Sequence, residues 1–371
     1  MGYVEKSLFA NDGIVCDKNY IWYLANEYSA VIQVERLTGN ARVLFVVREY
    51  FEVFAFRSIV KYKDRILLFP FKGNEFVEYD MNSGAYVLKG IPSELEGKNW
   101  CAQYFQDNSD IYFYFQSSFI VKYNCEQDKW SIYDRWKIDG EIKCLRDESK
   151  HWFGFGAYDQ DDYLYFQLYR DDRVACLNKI SEEISIISVN APSKDGYFEM
   201  LSFVNGDLWA IFHFDDKVSK LLNYPNNQLD KYSEICDLPN GGIDLSYSQI
   251  VLVMNNVWVL PGGYDKGWRV SKDGSSVEEI LDMAVVDKDD LKPVWGRDLN
   301  YGRGTIVDGI YVNMNSGLRR IVEIDTVHEK YLEYDIKQNE LYRIWELAGC
   351  EIVVENHNYS LDDYLIHACE L

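Results

Sequence analysis

The sequence predicts an all-β chain built as a seven-bladed β-propeller of four-stranded antiparallel blades, with six and eight blades as the alternatives. Three observations lead there. Aromatics make up 16% of the 371 residues, as 29 Tyr, 19 Phe and 10 Trp, and these side chains favour pleated, half-buried strands. A cassette of short apolar strands and polar turns recurs along the chain. Within it, two large residues stand seven positions apart around a turn: Tyr79/Tyr86, Tyr123/Trp130, Leu177/Ile184, Leu222/Leu229, Val270/Val277 and Ile324/Tyr331, with Arg36/Val43 as an imperfect first copy.

The clearest cassettes are RILLFPFKGNEFVEYDMNSGAYVL from Arg65 and DIYFYFQSSFIVKYNCEQDKWSIYD from Asp110; others begin near Tyr20, Asp162, Asp207, Asn256 and Gly309. The paired residues recur every 43 to 54 positions. Each cassette holds three strands, and a fourth lies upstream, as in FEVFAFRSIV from Phe51 and CAQYFQ from Cys101. Four strands in roughly 45 residues is the length of a propeller blade. One such sheet cannot bury both faces alone, whereas radial stacking buries them and leaves only short edges.

The expected units are approximately 8–47, 51–90, 99–134, 152–189, 198–234, 246–282 and 303–336, within a single domain 1–371. Residues 337–371 are expected to hold a closing strand and a short helix. In that tail GCEIVVEN reads as a strand, and Ser360 as the N-cap of a helix through Tyr364, Leu365 and Ile366. A tail strand paired with the N-terminal segment would remove the free edges that invite aggregation.

Two motif fragments narrow the comparison. Tyr123 and Trp130 flank the turn in KYNCEQDKW, and Gly262-Gly263 follows a strand in VLPGGYDKGW. With these the chain resembles the Kelch-type propeller family, over roughly Tyr20 to Asp335, although no copy carries both elements. The resemblance implies the blade architecture and no specific activity. The Trp-Asp dipeptides of WD repeats are absent.

Composition excludes several function classes. The net charge is −22, from 38 basic and 60 acidic residues. Such a field repels phosphate backbones and anionic membranes, so neither nucleic acid nor membrane is expected as a partner. No stretch approaches the ~18 apolar residues of a membrane helix, and the start lacks a signal-peptide pattern. The eight cysteines are scattered without zinc-type or redox-type spacing. Free buried thiols and a cytoplasmic location are therefore expected, with no metal and no cofactor.

The candidate binding residues cluster where loops lead into the inner strands. Phe51, Trp100, Trp152, Phe198 and Trp295 each stand at or just before such a strand. Aromatics gathered there can stack on peptide side chains or sugars, and repeated hydrophobes equally serve packing between blades. The segment WGRDLNYGRG adds Arg297, Asp298, Asn300, Tyr301 and Arg303 among glycines. Arg297 and Arg303 are suited to holding a carboxylate, and an internal Arg–Asp pair is the plainer use. His151 is the one histidine at such a loop.

The expected function is a non-catalytic recognition propeller that binds a protein or glycan through its incoming-loop face and is monomeric by itself. The sequence leans away from an enzyme and leaves catalysis open. One alternative is a cofactor-free carbohydrate-active enzyme (mutarotase, lyase or hydrolase) using His151, Arg297, Asp298 and Arg303. Another is a scaffold subunit of a larger complex.

Overall fold

The computed structural model describes residues 13–349 except 52–54, 72, 97–99, 116–119, 134, 139–140, 145–152, 161, 169–171, 194–195, 205, 215–218, 239–246, 263–265, 281–303, 317 and 342. Blade 1 is β1 (Ile14–Cys16), β2 (Tyr20–Ala25), β3 (Ala30–Glu35) and β4 (Asn40–Val46). Blade 2 is β5 (Phe56–Tyr62), β6 (Arg65–Pro70), β7 (Glu75–Asp80) and β8 (Ala85–Gly90). Blade 3 is β9 (Trp100–Asp107), β10 (Asp110–Phe115), β11 (Ile120–Asn124) and β12 (Lys129–Tyr133), followed by a hairpin of β13 (Arg135–Ile138) and β14 (Glu141–Cys144).

Blade 4 is β15 (Phe153–Gln160), β16 (Tyr163–Leu168), β17 (Arg173–Asn178) and β18 (Ile184–Ser188). Blade 5 is β19 (Gly196–Val204), β20 (Asp207–Phe214), β21 (Ser219–Tyr224) and β22 (Ser233–Leu238). Blade 6 is β23 (Tyr247–Val253), β24 (Asn256–Pro261), β25 (Trp268–Ser271) and β26 (Val277–Glu279). Blade 7 is β27 (Thr305–Val307), β28 (Ile310–Asn315), β29 (Arg320–Asp325) and β30 (Lys330–Asp335), and the chain continues into β31 (Lys337–Glu340) and α1 (Arg343–Ala348). The fold is the seven-bladed β-propeller of four-stranded antiparallel sheets that the repeat predicts.

Burial explains the sequence of each strand. The second and third strands of a blade are covered on both faces, so they read as continuous apolar runs: Ile21 to Ala25 of β2 and Ile66 to Pro70 of β6 are buried throughout. Fourth strands are covered less, and β8 holds only exposed and half-buried residues.

The turn before each fourth strand has its own chemistry. Asp80 Oδ1 accepts from the N–H groups of Asn82 and Ser83, Asn124 Oδ1 from Glu126 and Gln127, and Asp325 Oδ1 from Val327 and His328. Each turn closes on a left-handed residue, Gly84 (φ 70°), Asp128 (φ 52°) or Glu329 (φ 52°). These turns set the seven-residue spacing, because the two flanking large residues become direct cross-strand partners. Tyr79 faces Tyr86, Tyr123 faces Trp130, Leu177 faces Ile184, Val270 faces Val277 and Ile324 faces Tyr331. Leu222 departs from this rule and faces Glu234, since the 3-10 turn Pro225–Asn227 lengthens the connection. Arg36 lies in its turn, and Val43 faces Ile32.

Two sheets are larger than the four-strand pattern expected. The strand that leaves blade 3, β13, pairs in parallel with β18, the outer strand of blade 4. The strand that leaves blade 7, β31, pairs in parallel with β4, the outer strand of blade 1. The expected closing strand GCEIVVEN and the helix after Ser360 lie outside the described residues, and the segment that does join the two ends of the repeat is β31 with α1.

Contacts divide the chain into two units, Met1–Gly97 with Val286–Leu371, and Lys98–Val285. In the first, blade 7 packs on blade 1. Ile21, Tyr23 and Ile32 share a core with Val312, Met314 and Ile321, and Leu341 and Ile344 of the strap formed by β31 and α1 are buried in it. Above this core Arg36 forms a two-pronged pair with Glu323, Nε to Oε1 at 3.0 Å and Nη2 to Oε2 at 2.6 Å. Tyr334 donates its hydroxyl to Glu323 Oε1 at 2.6 Å. In the second unit, cores join blade 3 to blade 4 through Tyr114 and Phe166, blade 4 to blade 5 through Val174 and Phe212, and blade 5 to blade 6 through Ile211 and Val259.

Candidate functional site

The inner strand of a blade often begins with a bulge that re-aims one side chain. In β5 the ladder shifts between Phe56 and Ser58, which sets Arg57 off the regular register. In β19 it shifts between Phe198 and Met200, at Glu199, and in β23 between Tyr247 and Gln249, at Ser248. Each bulge follows an aromatic residue. Bulges of this kind recur beside functional sites because they change where a side chain points.

Buried polar side chains gather at the same strand ends. In the first unit they are Arg57 and Ser58 at the start of an inner strand, and Asn26, Ser29 and Asn315 beside the connections between second and third strands. In the second unit they are Glu199 on an inner strand, Gln167 and His213 near the ends of second strands, and Ser219 at the start of a third strand. Among the described residues the remaining buried polar side chains are Gln33, Asn313 and Glu323. Burying polar groups costs free energy unless they are satisfied, so each of these side chains needs a partner where it lies.

Blade 5 carries the densest such group. Ser219 Oγ lies 2.5 Å from His213 Nδ1, and Glu199 Oε2 lies 3.6 Å from the same nitrogen. The Tyr197 ring centroid is 5.5 Å from that of His213, and Gln167 Nε2 donates to the Phe198 carbonyl. A Ser-His-acid relay needs hydroxyl and carboxylate on opposite ring nitrogens. Here both approach Nδ1, so the arrangement does not activate the serine and reads as a polar anchor. In blade 2 the Arg57 guanidinium lies 5.1 Å from the Phe71 ring centroid, a cation–π contact.

Two of the residues expected from sequence have described side chains. Phe198 is 2% exposed, edge-on to Phe212 at 5.1 Å, and belongs to the core between blades 4 and 5. Phe51 is half-buried against Tyr28 at 5.7 Å and packs on the core of blades 7 and 1. Trp100 begins β9, with its side chain outside the described set. His151, Trp152, Trp295, Arg297, Asp298, Asn300, Tyr301 and Arg303 lie outside the described residues. Sequence reasoning missed Arg57, Glu199 and His213. For Arg57 and Glu199 the available signal was a charged residue directly after an aromatic near the start of an inner strand, and for His213 there was none.

Among the described residues no group of three His, Cys, Asp or Glu side chains is placed to hold a metal ion. No described helix is long and apolar enough to cross a membrane. The described cysteines Cys16, Cys125, Cys176 and Cys236 are free thiols, and burial pushes Cys16 up to about 12 and Cys176 and Cys236 up to about 11.

No family model matches the chain, and no curated protein matches it in sequence. Several solved structures match it in fold. YCF48 bound to D1 peptide is 9% identical with a TM-score of 0.58, over 90% of this chain and 94% of that one. YCF48 from Cyanidioschyzon merolae is 11% identical with a TM-score of 0.55, over 81% and 90%. The β-propeller domain of Myceliophteria thermophila Cps50 (Swd1) is 9% identical with a TM-score of 0.52, over 88% and 97%. At these identities the likeness shows the fold alone. It supports the propeller and does not extend to the narrower Kelch family.

Proposed function

We propose that the chain is a non-catalytic recognition propeller that binds a protein partner, as a peptide segment, at the incoming ends of its inner strands. The observation that carries this reading is the concentration of buried polar side chains at those ends, on bulged strands beside aromatics. Polar anchors among apolar walls are what orient a peptide backbone in a groove. The net charge of −22 favours a cationic segment and speeds its approach. The fold likeness to YCF48, a structure solved with D1 peptide, supports the same class of partner.

The test is selection from a displayed random-peptide library against the full chain, with a glycan array in parallel. Cationic peptides whose binding is lost in Trp100→Ala or Trp295→Ala, with unchanged melting temperature, are the expected result. Glycans alone as ligands, or peptides indifferent to both substitutions, would refute it.

A further inference from the structure

The outer edge of a fourth strand in this chain accepts a further strand in parallel, and the chain fills two such edges itself. β13 runs along β18 and β31 along β4. Both added strands begin after a single residue that follows a fourth strand, and both open on a cation, Arg135 or Lys337. Lys337 faces Asn40, the first residue of β4. Its charge joins hydrogen bonds from Thr38 and Asn40 in holding the Glu35 carboxyl below the usual range. Arg135 stands one position before the Trp136–Ile184 pair, at the register of Glu183. In blade 1 the acid is the last residue of β3, five positions before β4 begins, and in blade 4 it is the residue directly before β18.

Blade 2 presents the same slot unfilled by any described strand. β8 is the last strand of its sheet. Asp80 precedes Ala85 by the same five positions that separate Glu35 from Asn40. Backbone hydrogen bonds from Ser83 and Asn82 hold the Asp80 carboxyl below its ordinary value, so it is ionised at neutral pH. Val87, in the middle of β8, is 53% exposed. The segment feeding blade 2, residues 47–55, contains the 3-10 turn Arg48–Tyr50 and is too short to run along β8 and return to β5. Two other outer strands are poorer acceptors: β26 has three residues, and the β21–β22 ladder is broken at Leu221/Leu222; β30 has the same five-position spacing, from Asp325 to Lys330.

We propose that the outer edge of β8 is a docking slot for an extended segment of a partner protein, which runs parallel to β8 and opens on Lys or Arg beside Asp80. Backbone pairing gives the affinity, and the cation sets the register. The slot lies apart from the strand ends of the proposed function, so either can fail without the other.

The probe is a fluorescent synthetic peptide with the sequence of Lys337–Ala348, added to the full chain. Binding should be saturable and should protect Ala85–Gly90 from hydrogen exchange. Asp80→Asn keeps the turn-capping oxygen and removes the charge. It should weaken binding by up to about fivefold, as should reversal of the peptide's first residue in a Lys337→Glu version. A peptide N-methylated at alternate residues should not bind in one of its two registers. Absence of saturable binding overturns the proposal, as does protection confined to Asn40–Val46, or affinity indifferent to both Asp80→Asn and N-methylation. Self-association of the chain alone with Ala85–Gly90 protected would assign the edge to a second copy and overturn it too.

Discussion

Glu323→Gln should destabilise the protein far more than loss of an ordinary surface ion pair. The Glu323 side chain is 7% exposed and its Arg36 partner 11%. Arg36 spends one nitrogen on the Asp17 carbonyl at 2.9 Å and two on the carboxylate. Tyr334 holds one carboxylate oxygen as well. Removing the charge leaves a buried guanidinium facing a neutral amide, and breaking such a pair costs about 3–5 kcal/mol. Unfolding entropy of about 2.1 cal/mol/K per residue, over 371 residues, gives about 0.8 kcal/mol/K, and the melting temperature should fall by roughly 4–6 °C. The assay is thermal unfolding followed by circular dichroism, with the cycle completed by Arg36→Met and the double variant. The double variant should recover much of the loss, because no buried charge is then stranded. A fall below about 1 °C, or additive losses in the double variant, would show that the pair is worth no more than an exposed one. The equivalent pair between blades 3 and 4, Lys122–Glu182, is more open at 17% and 47% exposure. Lys122→Met should therefore cost only about 0.2–1 kcal/mol.

Ile344→Ala empties a fully buried site in α1. It should cost about 2–5 kcal/mol in urea unfolding; an unchanged midpoint would show that the strap contributes nothing to the packing of blade 7 on blade 1. Gly39→Ala should destabilise by at least about 1 kcal/mol: its φ is +71° and an added Cβ would stand 2.1 Å from the Asp335 carbonyl. A melting temperature equal to that of the parent would contradict that close approach. Alkaline pH should weaken the fold. The Cys16 thiol is raised from 9.0 to about 12 by burial, so the folded state keeps its proton longer than the unfolded one. That stability is present below pH 9 and is lost as pH climbs toward 12, and Tyr50, raised from 10.0 to about 12 by burial and Glu75, acts in the same direction. Urea midpoints that stay level from pH 8 to pH 11 would contradict it. At pH 8 iodoacetamide should label Cys16 and Cys176 only after unfolding.

Legibility followed the range of the interactions. The five cross-strand pairs such as Tyr123/Trp130 were visible because a tight turn fixes its flanking residues by local geometry. Leu222/Leu229 misled because Pro225–Asn227 opened the turn, and only the ladder shows that Leu222 faces Glu234. At the candidate site the aromatics announced where inner strands begin, and Phe198 proved to be core there. His213 and Ser219 carry no pattern of their own, since their meeting depends on two strands coming together around a connection.

By itself the sequence determined the strands, their turns and the sevenfold repeat, because alternation, apolar runs and Asx-capped turns act over fewer than ten residues. Only the tertiary structure decided what crosses from one blade to another. The pairing of β31 with β4 and of β13 with β18, the Arg36–Glu323 bridge and the bulges that turn Arg57 and Glu199 aside all depend on distances between segments remote in the chain. Each such contact requires closing a long loop, and that choice is made by the packed core as a whole and not by any local stretch of residues.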